Sequence, residues 1–232
     1  MGVYTRPSIV TNGLVLNLDA ANIKSYPGSG TTWSDLSGNA NNGTLTPGVS
    51  GLTFSRDGGG SLVFDGTDDF VSINDINNIN QISVEAWVYA NSLGAYNGIV
   101  TQYSTSNPST SSWILETLGS NAYFFIANGS NLYSGLIAFS TGVWTHLVGV
   151  YNGSFVTIYK NGVIGTSTVT SVAVNNSALK INVGALYSSG GVEGGDGRWN
   201  GRISNVRLYN KGLSAQEVLQ NYNALKSRFN LS

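Results

Sequence analysis

Alternation of apolar and polar positions runs along most of this chain. Leu14, Leu16 and Leu18 alternate with Val15, Asn17 and Asp19, which predicts a first strand with one buried face. Leu62–Phe64 and Phe70–Ile73 flank an acidic turn, Asp65 to Asp69, and predict a hairpin. Ile82–Tyr89 is apolar on both sides: Val84, Ala86 and Val88 alternate with Glu85, Trp87 and Tyr89. Burial of both faces predicts a central strand. Further strands are expected at Gly98–Tyr103, Trp113–Thr117, Tyr123–Ala127, Leu136–Phe139, Trp144–Tyr151, Phe155–Lys160, Val163–Ile164, Leu179–Val183 and Ile203–Tyr209. Asn152-Gly153 and Asn161-Gly162 mark tight hairpins, because Asn-Gly tolerates the positive φ of a type I′ turn.

The pattern changes period once. Ser214 is placed as an N-cap with Glu217 three residues later, a capping box, and Leu213 and Val218 can form a hydrophobic staple across it. Val218, Leu219, Tyr222 and Leu225 then recur at helical spacing. About a dozen short strands joined by turn residues, followed by one short helix, predict an all-β, two-sheet antiparallel sandwich. Residues 1–12 read as an N-terminal arm, either a disordered terminus or a segment docked on a neighbouring subunit, and 13–232 as a single domain. The stretch from Asp19 to Leu45 is crowded with Pro, Gly, Asn and Ser and reads as a structured loop. Tyr26 and Trp33 in it either tuck against the sandwich or form a ligand platform.

Composition narrows the function classes. Charged residues make up only 10% and the formal net charge is −1, so no basic stripe exists to neutralise phosphates. There is no run of 18 apolar residues and hence no predicted membrane-spanning helix. Cysteine is absent, which leaves no disulfide framework. The N-terminus lacks the charged-then-apolar layout of a signal peptide, although secretion with a trimmed signal stays open.

Trp199-Asn-Gly-Arg-Ile-Ser-Asn-Val-Arg-Leu-Tyr-Asn210, followed by Leu213-Ser-Ala-Gln-Glu-Val218, resembles the C-terminal signature of laminin-G-like domains of the concanavalin A-like lectin/glucanase superfamily, and more distantly that of pentraxins. The Asp65–Asp69 hairpin and the Trp144-Thr-His … Tyr151-Asn-Gly … Tyr159-Lys-Asn-Gly162 run are similar to two further signatures. The Asp19–Leu45 loop resembles the form often seen in bacteriophage particle proteins. The resemblance covers Leu14 to Tyr222 and implies a jelly-roll sandwich. It identifies function poorly, because this fold hosts lectins, hydrolases and structural modules.

Three functions follow as expectations. The first is a non-catalytic lectin-like module displayed on a virus (phage) particle and recognising surface glycans. The alternative is a purely structural virion protein, a capsid decoration or tail component, with virion proteins as its partners and homo-oligomers allowed. A secreted or cell-surface setting is the second choice of location. A glycoside hydrolase ranks third: it needs two carboxylates about 5–10 Å apart, and neither Glu85 nor Glu116 has a second carboxylate at i+2 or i+4. His146, the one histidine, reads as a hydrogen-bonded strand residue rather than a catalytic base.

Sugar binding needs aromatic surfaces for apolar ring faces and planar polar groups for hydroxyls. If the family topology holds, the loops Tyr103–Trp113 and Tyr187–Trp199 meet at one rim. There they would offer Tyr103, Asn107, Trp113, Tyr187, Arg198 and Trp199 as ligand-binding residues; the competing reading makes Trp113 and Trp199 core residues. Calcium is the candidate cofactor, since the family often binds it at a loop rim and hard cations take oxygen ligands. The pentraxin pattern is not matched: Gly184–Ser189 carries no carboxylate, and Ser104–Ser112 offers Asn107 only. Asp68 and Asp69 in the hairpin, and Glu193 and Asp196 in the Gly-rich loop, are the remaining candidate ligands.

Overall fold

A computed structural model describes residues 7–46, 51–76, 79–104, 111–128, 131–188, 191–192 and 197–232, with backbone alone at 131, 187–188 and 191–192. Two antiparallel sheets face each other. The first runs, strand by strand, Val163–Val169, Phe155–Lys160, Trp144–Tyr151, Ile82–Ala90, Asn200–Tyr209, Ser61–Asp65, Thr53–Ser55, with Leu14–Asp19 also paired to Asn200–Tyr209. The second runs Asn131–Ala138, Asn121–Asn128, Trp113–Leu118, Tyr96–Gln102, Ile181–Val183, Phe70–Ile73, Gly43–Thr46, Thr32–Trp33. The jelly-roll sandwich and its single short helix are as expected.

The core lies between the sheets because each strand turns alternate side chains inward. Val84, Ala86, Val88, Val206 and Leu208 from the first sheet meet Val71, Ile73, Leu115, Phe124 and Val183 from the second. Ile82–Ala90 is central, paired on both edges, and is buried along its length except at Tyr89. Gly149 faces Phe124 across the core, and a Cβ there would fall 2.1 Å from the ring. Trp33 and Tyr26 are buried, so the early loop tucks against the sandwich. Part of that loop is strand: Thr32–Trp33 and Gly43–Thr46 extend the second sheet. Their two- and four-residue lengths carry too little alternation to register in the sequence.

The outer face of the first sheet is covered by the helix Ala215–Leu225 and the turn Lys226–Phe229. The capping box at Ser214 and Glu217 is present, and Lys211 adds an ion pair to Glu217 at 2.7 Å. Val218 and Asn221 are the buried helical residues, whereas Leu219 is 46% exposed, contrary to the apolar face expected from spacing. A polar residue takes the inward position because it has a partner there. Asn221 Nδ2 donates to Glu85 Oε2 at 2.6 Å and to Tyr209 Oη at 2.9 Å, and Asn221 Oδ1 accepts the Val10 N–H at 2.8 Å. The segment around Ser8–Val10 thus docks on its own chain's helix. Residues 1–6 of the expected arm lie outside the described residues.

Glu85 anchors this layer. It is fully buried, with Arg207 Nη1 at 2.7 Å and His146 Nε2 at 3.0 Å from Oε1. Burial alone would push its pKa up. The Arg207 guanidinium, with the His146 and Asn221 hydrogen bonds, outweighs that and holds it at about 2. His146 also packs against Trp87, its ring centroid 4.9 Å away, and Trp87 stacks on Phe229 at 4.0 Å. The strand-histidine reading therefore describes its surroundings. Glu85→Ala leaves the buried Arg207 without its anion. The expected loss is about 3–5 kcal/mol of unfolding free energy, read by urea denaturation.

Candidate functional site

The second sheet turns its other face to solvent, and the strand period decides what it shows. In Gly43–Thr46, Leu45 points into the core and Thr44 and Thr46 point out. In Phe70–Ile73, Val71 and Ile73 are core residues, so Phe70 and Ser72 point out. Asn182 points out between Ile181 and Val183. Register then sets Thr44, Ser72 and Asn182 side by side across three strands, and Thr46 beside Phe70. With Asn42, Asn74, Lys180, Asp68 and Arg198 these residues line an open groove of about 600 Å³.

One wall is a strap crossing the sheet. Ala185 forms a bridge with Arg198, and Thr101 Oγ1 donates to the Ala185 carbonyl at 2.9 Å. The strap passes directly over Gly98, where a Cβ would lie 2.5 Å from the Ala185 carbonyl carbon. Only glycine permits that approach. The Arg198 guanidinium, largely buried, sits 5.6 Å from the Phe70 ring centroid.

Beyond Gly98 the same face carries Glu116, whose cross-strand neighbours are Gly98 and Tyr123. Glu116 is 5% exposed, and burial lifts its pKa to about 7. The Tyr123 and Phe125 rings stack beside it, centroids 5.3 Å apart.

At the groove's other end, the carboxylates of Asp65, Asp68 and Asp69 lie within 4.8 Å of one another. Asp69 Oδ2 accepts the Asp65 N–H at 3.1 Å and Asp65 Oδ1 the Thr67 N–H at 2.7 Å, so two of the three also shape the turn. An all-oxygen set of three carboxylates fits a hard divalent cation. Asp65 was missed as a ligand in the sequence, because only the folded turn brings it beside Asp68 and Asp69.

The residues expected to bind ligand or metal are dispersed. Arg198 and Asp68 line the groove. Tyr103 is half-buried just beyond the strand Tyr96–Gln102 and is engaged in an interaction there. Trp113 and Trp199 are each 1% exposed and belong to the inter-sheet core, Trp199 edge-on to Phe139 at 6.3 Å. Trp113 points inward from its strand and Trp199, just before the strand Asn200–Tyr209, is equally enclosed, so neither gives a rim platform. Tyr187 pairs through its backbone with Val192. Asn107, Glu193 and Asp196 lie outside the described residues.

The laminin-G family model of the concanavalin A-like lectin/glucanases superfamily matches residues 65–219. The chain belongs to this superfamily. No curated protein matches it significantly. Among solved structures, it is similar to domain 4 of an extracellular arabinanase from Geobacillus stearothermophilus, solved in complex with arabinotriose. Identity there is 21%, coverage 90% of this chain and 98% of that one, and the TM-score 0.67. It is also similar to the binding domain of botulinum neurotoxin DC in complex with SialylT (14% identity, 93% and 52% coverage, TM-score 0.68). The binding domain of Paraclostridial mosquitocidal protein 1 is a third (15%, 92% and 52%, TM-score 0.69). The chain spans about half the length of these two toxin domains. At such identities the likeness is one of fold.

Glu116 gives the site region a pH dependence. Its folded pKa stands above the ordinary value of 4.5, at about 7. Its stabilising contribution is therefore fully present below pH 4.5 and is lost as pH rises through about 7. Thermal unfolding should show lower stability at pH 8 than at pH 5.5, by roughly 1–3 kcal/mol. Glu116→Gln should flatten that slope.

Proposed function

We propose that the chain is a non-catalytic, lectin-like module and that the groove on the outer face of the second sheet binds carbohydrate. The observation that carries this is the half-buried Phe70 ring set among Thr44, Thr46, Ser72, Asp68 and Asn182. A sugar presents apolar C–H faces and a rim of hydroxyls, and this surface offers a complement to each. The arabinotriose complex of a domain with the same fold supports the reading.

The non-catalytic reading rests on where carboxylates sit among the described residues. Glu85 is locked by Arg207, His146 and Asn221 on the far side of the sandwich. Glu116 is flanked at i−2 and i+2 by Ile114 and Leu118. Asp65 and Asp69 serve the backbone of one turn. None of these forms the opposed pair that glycoside hydrolysis requires. Calcium held by Asp65, Asp68 and Asp69 would offset two of the three crowded negative charges and stiffen the hairpin beside the groove. On a particle surface, the setting implied by the sequence resemblance, many weak groove contacts would add as avidity.

A glycan array probed with the purified protein, in calcium and in chelator, tests the reading. Selective binding is expected, reduced at least tenfold (about 1.4 kcal/mol) by Phe70→Ala. Chelation should weaken it less than Phe70→Ala does, since the aromatic surface persists without the ion. An array with no selective signal in either condition would sink the reading.

A further inference from the structure

One polar atom in the groove stands out. Asn182 is 1% exposed, yet it lines the groove floor, and its Nδ2 is buried with no hydrogen-bond partner. Neither cross-strand neighbour accepts from it. Ser72 lies on one side and Thr101 on the other, and Thr101 uses its hydroxyl on the Ala185 carbonyl. A buried amide N–H without an acceptor costs stability in the free protein. The sheet itself does not need an amide here; β-branched or apolar side chains suit strands better.

The groove's shape and charge restrict what could meet that donor. Its lining includes Phe70, Ser72 and Asn74, alternate residues of one extended run, which span about 13 Å. This length exceeds a single sugar ring. Lys180 and Arg198 oppose Asp68, with Asp65 and Asp69 close by, so the groove has no field of one sign.

Resting on the carbohydrate-binding reading above, we propose that the groove takes a neutral oligosaccharide of more than one residue, and that Asn182 Nδ2 is the donor that selects it, by bonding a sugar oxygen. A site built to hydrogen-bond one ligand oxygen rejects analogues that lack it, because the buried donor is then left unpaired. Asn182 would thus trade stability of the free protein for selectivity.

The test uses arabinotriose, other neutral trisaccharides, their component monosaccharides and a sialylated trisaccharide as probes, with affinity by titration calorimetry. Asn182→Leu keeps the size of the side chain and removes the donor. Expected are a Tm equal to or above that of the unaltered protein and at least a tenfold loss of affinity for the preferred trisaccharide. Neutral trisaccharides should bind at least tenfold more tightly than their monosaccharides and than the sialylated probe. A fall in Tm of several degrees would show that Asn182 supports the fold, and would overturn the inference. So would an unchanged affinity in Asn182→Leu while Phe70→Ala abolishes binding; the groove reading would then survive alone. Tighter binding of the sialylated probe would overturn the neutral class. If the unaltered protein binds none of the probes, the inference falls together with the groove reading.

Discussion

Glu85 sets a constraint that much of this molecule answers. A carboxylate at the centre of a sheet must be paired or neutralised, since an isolated buried charge is among the costliest features a fold can hold. Arg207 on the neighbouring strand supplies the countercharge, and His146 on the other neighbour donates to the same oxygen. The second oxygen is left for Asn221, which comes from the helix. Three strands and the helix are thereby fixed in one relative position. Asn221 passes the order on, since its own oxygen takes the Val10 N–H and its amide also meets the Tyr209 hydroxyl. The aromatic layer of Trp87, Tyr222 and Phe229 then excludes water from these bonds. Within this network, apolar burial supplies most of the driving force, while the paired charge fixes register and helix placement.

The groove lies on the opposite side of the sandwich from this network. Its walls are set by the strap at Ala185 and Arg198 and by the acidic turn; its floor belongs to three strands whose inward residues are core. A rigid floor between less regular walls is the usual division of labour in binding proteins built on sheets.

Most of the architecture could be read from the sequence. Alternation located most of the long strands, although Asn131–Ala138 was expected only at Leu136–Phe139 and Val163–Val169 only at Val163–Ile164; the two Asn-Gly turns located hairpins, and Ser214 with Glu217 located the helix start. The central position of Ile82–Ala90 followed from its two apolar faces. The helix's inward face was misjudged at Leu219, because nothing local reveals that Asn221 has a buried carboxylate waiting for it. The groove was legible only in part. Arg198 and Asp68 were singled out, but Phe70, Ser72 and Asn182 were hidden among strand residues whose alternation says that one face is polar, not which strands lie next to one another. Their assembly depends on pairing Ile181–Val183 with Phe70–Ile73 across more than a hundred residues. Trp113 and Trp199 drew attention as aromatic residues beside loops, yet both are enclosed between the sheets, Trp113 by the period of its strand and Trp199 just ahead of one.

The helix and the Ser8–Val10 segment share the outer face of the first sheet, while the groove opens on the outer face of the second. Both ends of the sandwich's chain path are thus gathered at the back of the molecule. Anything joined through that side, whether further polypeptide or a supporting surface, would leave the groove pointing away from its mount and unobstructed.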